Sequence, residues 1–301
     1  MAANIRGFRD YNTEASDHER QRLNPGQNNN INGFDMFSAG GIGQKQPKDE
    51  NYWNMLQYNL CPKFKVVSFT FAFTIINLVI FLTVFCFSLN NLDNDDFMGI
   101  PANKLSSFGA KNPYKIRNNY EVFRWVVPIF LHANFMHIFF NSVTLFWVGF
   151  NIEHNIGALQ FFIVYMLSGI GGFIFSSCVS DSIAVGASGA IFGIISVMFV
   201  NLLMNWRALY NSGALMPTLI MILLLVLMAF ASGDNADTYG HFGGLLTGFL
   251  LGVIYYKYDT HGRENTKRLS FAGWVALFFY VGLTAGLVTV FFTVRHPSLK
   301  A

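Results

Sequence analysis

Between Val185 and Gly193 the chain reads Val-Gly-Ala-Ser-Gly-Ala-Ile-Phe-Gly, which sets one hydroxyl, Ser188, among glycines at the head of an uncharged run reaching Trp206. Far downstream, Tyr239-Gly240-His241-Phe242-Gly243-Gly244 puts a histidine at the head of a second apolar run. A serine hydroxyl is a weak nucleophile until a neighbouring base takes its proton, and imidazole is the side chain most often used for that. The spacing therefore predicts a nucleophile and its base, provided the two runs lie side by side. No apolar run supplies an Asp or Glu that could complete a triad. Asp234 and Asp237 precede His241 in a loop and read as solvated charges, which leaves a two-residue dyad.

A tetrahedral intermediate also needs donors for its oxyanion. His137 and Asn141 are four residues apart, hence on one face of a helix near its outer end. Each can offer a side-chain N–H, and the Ser188 backbone N–H can offer another. His132 falls before that helix and is expected to order the loop. Interfacial serines and glycine pairs at i, i+4 are common in membrane helices as packing features alone. The ionisable side chain shifts the balance, since a histidine inside a span is costly and points to function.

The elements that must position these groups are visible in the apolar pattern. Of 301 residues, 52% are hydrophobic and 12% charged, against about 25% charged in a typical soluble domain. Uncharged apolar runs long enough to cross a bilayer recur, so the chain is expected to be an all-α polytopic membrane protein. Spans are predicted at 66–89, 135–153, 158–179, 187–206, 215–232, 240–256 and 271–294. Residues 1–60, polar and asparagine-rich, are expected to form a disordered tail. Their start lacks the apolar core of a signal peptide, and Asp10, Glu14, Asp17 and Glu19 are unlike a mitochondrial transit peptide. A six-helix catalytic core is expected over 61–258, followed by a connector at 259–270, the additional span and a short tail at 295–301. The aromatic and charged piece from Tyr120 to Leu131 reads as a loop lying partly in the headgroup layer.

Gly240, Gly244, Gly248 and Gly252 recur every four residues along the sixth span, and Gly189 and Gly193 do so in the fourth. Such ridges let helix backbones touch, which is what a Ser188–His241 hydrogen bond requires. Thirteen of the twenty lysines and arginines fall on the side of the N-terminal tail, the Arg207 turn and the 257–268 connector. That bias predicts a cytosolic N-terminus, with five basic residues in the first external loop diluting it. Ser188 and His241 then share one membrane depth near the external surface. The net charge of +3 does not suggest nucleic acid. Cys61, Cys86 and Cys178 form neither a disulfide framework nor a metal pattern. Gly-Ala-Ser-Gly-Ala is not the Gly-x-Ser-x-Gly elbow of strand-borne nucleophiles. A zinc-protease His-x-x-x-His with glutamate is absent, and no internal repeat suggests a transporter.

Taken together, the Gly-Ala-Ser-Gly-Ala-Ile-Phe-Gly stretch at 186–193, His-Phe-Gly-Gly-Leu-Leu-Thr-Gly at 241–248 and His-Ala-Asn-Phe-Met-His-Ile-Phe-Phe-Asn at 132–141 resemble the rhomboids, a family of intramembrane serine proteases. The resemblance covers roughly 66–258 and includes Arg124, Glu153 and Gly157; Phe123 stands where rhomboids often carry tryptophan. It implies that Ser188 is the nucleophile, His241 the base, and His137 and Asn141 oxyanion donors, with no metal or cofactor. It further implies that Arg124 and Glu153 hold the outer loop and the end of the second span. Gly186, Gly189, Gly193, Gly240, Gly244 and Gly248 are expected to be structural. A seventh span after the core resembles the six-plus-one arrangement of secretory-pathway rhomboids, which places the chain in a secretory or plasma membrane. The expected partners are the lipid bilayer and single-pass membrane substrates, admitted between the second and fifth spans beneath a movable 233–239 cap. The rival reading is a rhomboid-like pseudoprotease that binds membrane clients, although such relatives have usually lost the serine or histidine.

Overall fold

The computed structural model describes residues 67–93, 96–211, 213, 215–230, 237–255 and 271–294. The expected N-terminal tail, the 259–270 connector, the 295–301 tail and residues 233–236 of the expected cap lie outside the described residues. The described chain forms α1 (Phe69–Ser88), α2 (Ala102–Ser107), α3 (Pro113–Asn119), α4 (Phe135–Ile156), α5 (Ala158–Val179), α6 (Ser188–Asn211), α7 (Leu215–Phe230), α8 (Thr238–Tyr255) and α9 (Phe271–Thr293). Extended pairing among the described residues is limited to two isolated bridges, Asp93 with Gly99 and Lys111 with Ala184. Helices α1, α4, α5, α6 and α9 each have the length and apolarity to cross a bilayer. α7 has 16 residues and falls short of the roughly 20 that span about 30 Å. The five glycines of α8 dilute its apolarity. The protein is thus an all-helical, multi-pass integral membrane protein.

Its centre is the packing of α5, α6 and α8 against one another, with α1 on α4, α7 on α6, and α9 against α8 and α5. Glycines set this closeness. A Cβ added to Gly244 would fall on the Gly189 carbonyl, and one on Gly248 would strike the Gly193 backbone. α5 joins the seam as well, because a Cβ at Gly172 would stand 2.6 Å from the Gly240 carbonyl oxygen. Ser168 fills the space left by Gly193. The α6–α8 contact matches the spacing of glycines in the sequence; the part taken by α5 was not foreseen.

Glu153, near the C-terminal end of α4, does more than finish its own helix. Its carboxylate accepts from the backbone N–H groups of Phe69 and Thr70, both at 2.9 Å, and from the Thr70 hydroxyl at 2.7 Å. The first turn of α1 has donors without intrahelical partners, and a carboxylate there is also favoured by the helix dipole. Glu153 therefore fastens α1 to α4.

The segment before α4 packs against the core on one side, while Tyr120, Val122 and Phe123 stay exposed. Two 3₁₀ turns, Val122–Trp125 and Val127–Phe130, bury Trp125, Pro128 and Ile129. The Trp125 indole N–H donates to Ser177 Oγ of α5 at 3.1 Å, and Ile129 sits over Gly169. Arg124, also buried, donates to the carbonyls of Ser106 at 2.7 Å and Ala110 at 3.0 Å and pairs with Glu121. At the same end α9 docks through Phe291, which packs edge-on to Trp125 and lies 4.6 Å beneath the Arg117 guanidinium.

Candidate active site

Ser188 is the first residue of α6, reached through a tight approach at Gly186. The Gly186 N–H donates to the Pro128 carbonyl at 2.9 Å, and its φ of 127° is a conformation that suits glycine. A side chain there would meet His137 Nε2 at 2.6 Å and stand 3.7 Å from Asn141 Nδ2. The two side chains of α4 are thereby brought against the backbone that leads into Ser188. Asn141 is buried, and its Nδ2 has no protein partner. An unpaired buried amide is costly in a finished fold, so this donor is available to a group that occupies the site.

His241 lies in the first turn of α8, and its Nε2 is 2.8 Å from Ser188 Oγ. The imidazole is stacked on Phe192 of α6, with ring centroids 4.5 Å apart and planes at 25°. When the hydroxyl donates to Nε2, the ring is the neutral tautomer with its proton on Nδ1. A small, open cleft borders the pair, lined among others by Phe173, Val185, Asp237 and Gly240.

Further residues hold this arrangement. Asn134 caps α4 by accepting from the His137 N–H at 2.8 Å and is itself held by Asp96 at 2.9 Å. His132 is fully buried before α4, with its ring edge-on to His137 at 5.2 Å. Burial, with a smaller contribution from His137, holds the His132 pKa well below the usual histidine value. It is a neutral packing partner of the His137 ring, a more specific place than the loop-ordering one expected.

Asp237 departs from expectation. It is not a solvated loop charge: its side chain is 9% exposed and 4.0 Å from the ammonium of the fully buried Lys111. Asp237 Oδ1 accepts from Ser176 Oγ at 2.7 Å and from the Gly240 N–H at 3.0 Å, so the residue caps α8. The 237 end of the expected movable cap is therefore pinned. Lys111 and Ser176 were missed in the sequence, where one reads as a loop cation and the other as a small helix residue. Among the described residues, no three His, Cys, Asp or Glu side chains converge in a metal-binding array.

Ser188, His241, His137, Asn141 and His132 thus come together at one end of the bundle. Arg124 lies in the adjacent loop, and Glu153 at the opposite end of α4. The arrangement offers an alcohol hydrogen-bonded to an imidazole, with side-chain N–H donors beside it.

Comparison with known proteins bears on the same region. The Rhomboid domain profile matches residues 119–258. Rhomboid-like protease 1 of Toxoplasma gondii is 35% identical over 66% of this chain and 67% of its own length. RHOMBOID-like protein 2 of Arabidopsis thaliana is 33% identical over 68% and 69%. RHOMBOID-like protein 6, mitochondrial, from the same plant is 32% identical over 68% and 72%. With an all-helical membrane bundle and matches of this extent, the chain belongs to the rhomboid family.

Proposed function

We propose that the protein is an intramembrane serine endopeptidase that cuts membrane-spanning segments of single-pass proteins. The observation that carries this reading is the 2.8 Å hydrogen bond between His241 Nε2 and Ser188 Oγ, held between helices whose glycines fix the distance. Ser188 Oγ attacks the scissile carbonyl while His241 takes its proton; the oxygen that becomes negative is met by the N–H groups of Asn141, His137 and the Ser188 backbone. His241 then gives the proton to the leaving amine, and water completes hydrolysis of the acyl-enzyme by the same route. Substrates are expected to contain glycine or other helix-weakening residues near the cut, because backbone in a stable helix is shielded. The home membrane is that of the secretory route, by the position of α9 after the core, with the N-terminus in the cytosol.

Ser188→Ala should abolish cleavage of a transmembrane substrate reconstituted in liposomes and abolish labelling by a fluorophosphonate. Residual cleavage at the wild-type rate would remove Ser188 from the chemistry. Failure of the wild type both to cleave and to be labelled would favour a client-binding pseudoprotease. Imaging of the tagged chain decides the membrane, and mitochondrial signal would overturn the secretory assignment.

A further inference from the structure

The oxygen atoms of Asp237 do two different things. Oδ1 takes the Ser176 hydroxyl and the Gly240 N–H, whereas Oδ2 has no hydrogen bond and stands 4.0 Å from Lys111 Nζ. The ammonium donates to Ser176 Oγ at 2.7 Å and to the Ser180 carbonyl at 3.3 Å. An unbroken chain therefore runs from the external loop through α5 to the start of α8, and its last member borders the cleft that holds Ser188 and His241. Helix capping alone does not account for it. A cap needs only a short polar side chain at the helix start, whereas burying a lysine beside a carboxylate is costly and asks for a reason.

We infer that Asp237 is a positioning residue for His241, fixing the first turn of α8 and setting a negative charge one helical turn before the imidazole, with Lys111 and Ser176 holding that charge in place. The inference rests on the protease reading above. When the proton moves from Ser188 Oγ to His241 Nε2 as the Oγ–carbon bond forms, positive charge appears on the ring. A fixed carboxylate in a low-dielectric cleft offsets that charge without taking the proton itself. The charged or titratable groups around it are Lys111 of the external loop, Asp181 just after α5, and His137 of α4 on the other side of His241. Burial lowers the Lys111 pKa, while Asp237 and then Asp181 raise it again, so Lys111 is tied electrostatically to the same carboxylate.

The test compares wild type, Asp237→Asn, Lys111→Met and the double variant. kcat and KM for a transmembrane substrate in liposomes are measured from about pH 3 to 9, with gel filtration as the check on folding. Asparagine keeps an oxygen for the Gly240 N–H but loses the charge. Removing that charge makes the nearby imidazole harder to protonate, so the acid limb of kcat/KM should move to lower pH by about half a unit or more. kcat should fall about tenfold with KM nearly unchanged. Lys111→Met removes the opposing charge and should move the limb to higher pH, with the double variant between the two. A role confined to capping gives no such opposed shifts. An unmoved limb in folded Asp237→Asn, or shifts of one sign in both single variants, overturns the inference. Should Asp237→Asn not fold, an unmoved limb in folded Lys111→Met overturns it equally. A wild type that neither cleaves nor takes up the fluorophosphonate overturns the protease reading, and this inference with it.

Discussion

Asn141 is the residue whose surroundings ask most plainly for an absent partner, because its buried Nδ2 meets no acceptor in the protein. If that donor serves only the charge that develops in the transition state, its loss should affect kcat far more than KM. Asn141→Ala is expected to lower kcat by about 10²–10³ with KM nearly unchanged, measured on a transmembrane substrate in liposomes. A rate equal to wild type would remove Asn141 from the mechanism. Gly186 explains why the donor is so placed, since any Cβ there would press on His137 Nε2. The candidate nucleophile, base and oxyanion donors were legible in the sequence because each carries a costly polar group into an apolar run. Asp237 was not. Its partners Lys111 and Ser176 are distant in the chain, and no local periodicity marks a loop lysine as buried.

Among the elements, the α6–α8 contact and the α1–α4 junction make opposite demands, one for small side chains and one for a specific carboxylate. Alanine is normally favoured over glycine in a helix by about 1 kcal/mol. At Gly244 the added Cβ falls on the Gly189 carbonyl, so Gly244→Ala should lower the thermal midpoint in detergent and reduce fluorophosphonate labelling of Ser188. Gly286 of α9 has nothing within 4 Å of an added Cβ, so Gly286→Ala should leave labelling at the wild-type value and the midpoint unchanged or slightly raised. At the other junction, Glu153→Ala removes three hydrogen bonds to the start of α1 and should cost about 2 kcal/mol, read by denaturant unfolding. Equal midpoints for Gly244→Ala and Gly286→Ala would show that the seam tolerates a methyl group. The long helices themselves were evident from hydropathy, since a bilayer forces every backbone group of a span into internal bonds. The fold of 90–132 was hidden because polar loops there are held by tertiary bonds, such as those of Arg124 to the Ser106 and Ala110 carbonyls.

For the whole molecule, the proposed orientation rests on the distribution of charge, which the five basic residues of the loop before α4 dilute. Of these five, Lys111 is buried beside Asp237, Arg124 is buried among loop carbonyls, and Arg117 lies over the Phe291 ring. Three of the five cations thus have partners within the fold. Lys104 and Lys115 are the other two cations of this loop, and the thirteen basic residues of the tail, the Arg207 turn and the connector carry the charge bias on which the proposed cytosolic N-terminus rests. In the proposed orientation the Ser188–His241 pair would lie near the external surface, where a substrate helix would present its outer end. Tyr114, half exposed on α3 of this loop, offers a place to test it. In a chain with Cys61, Cys86 and Cys178 replaced by alanine, Tyr114→Cys should react with a membrane-impermeant maleimide on sealed, right-side-out cells or vesicles. A cysteine placed in the 259–270 connector should react only after permeabilisation. The reverse pattern would invert the molecule and put the catalytic end in the cytosol, and cleavage would then have to be sought on the cytosolic side of its substrates.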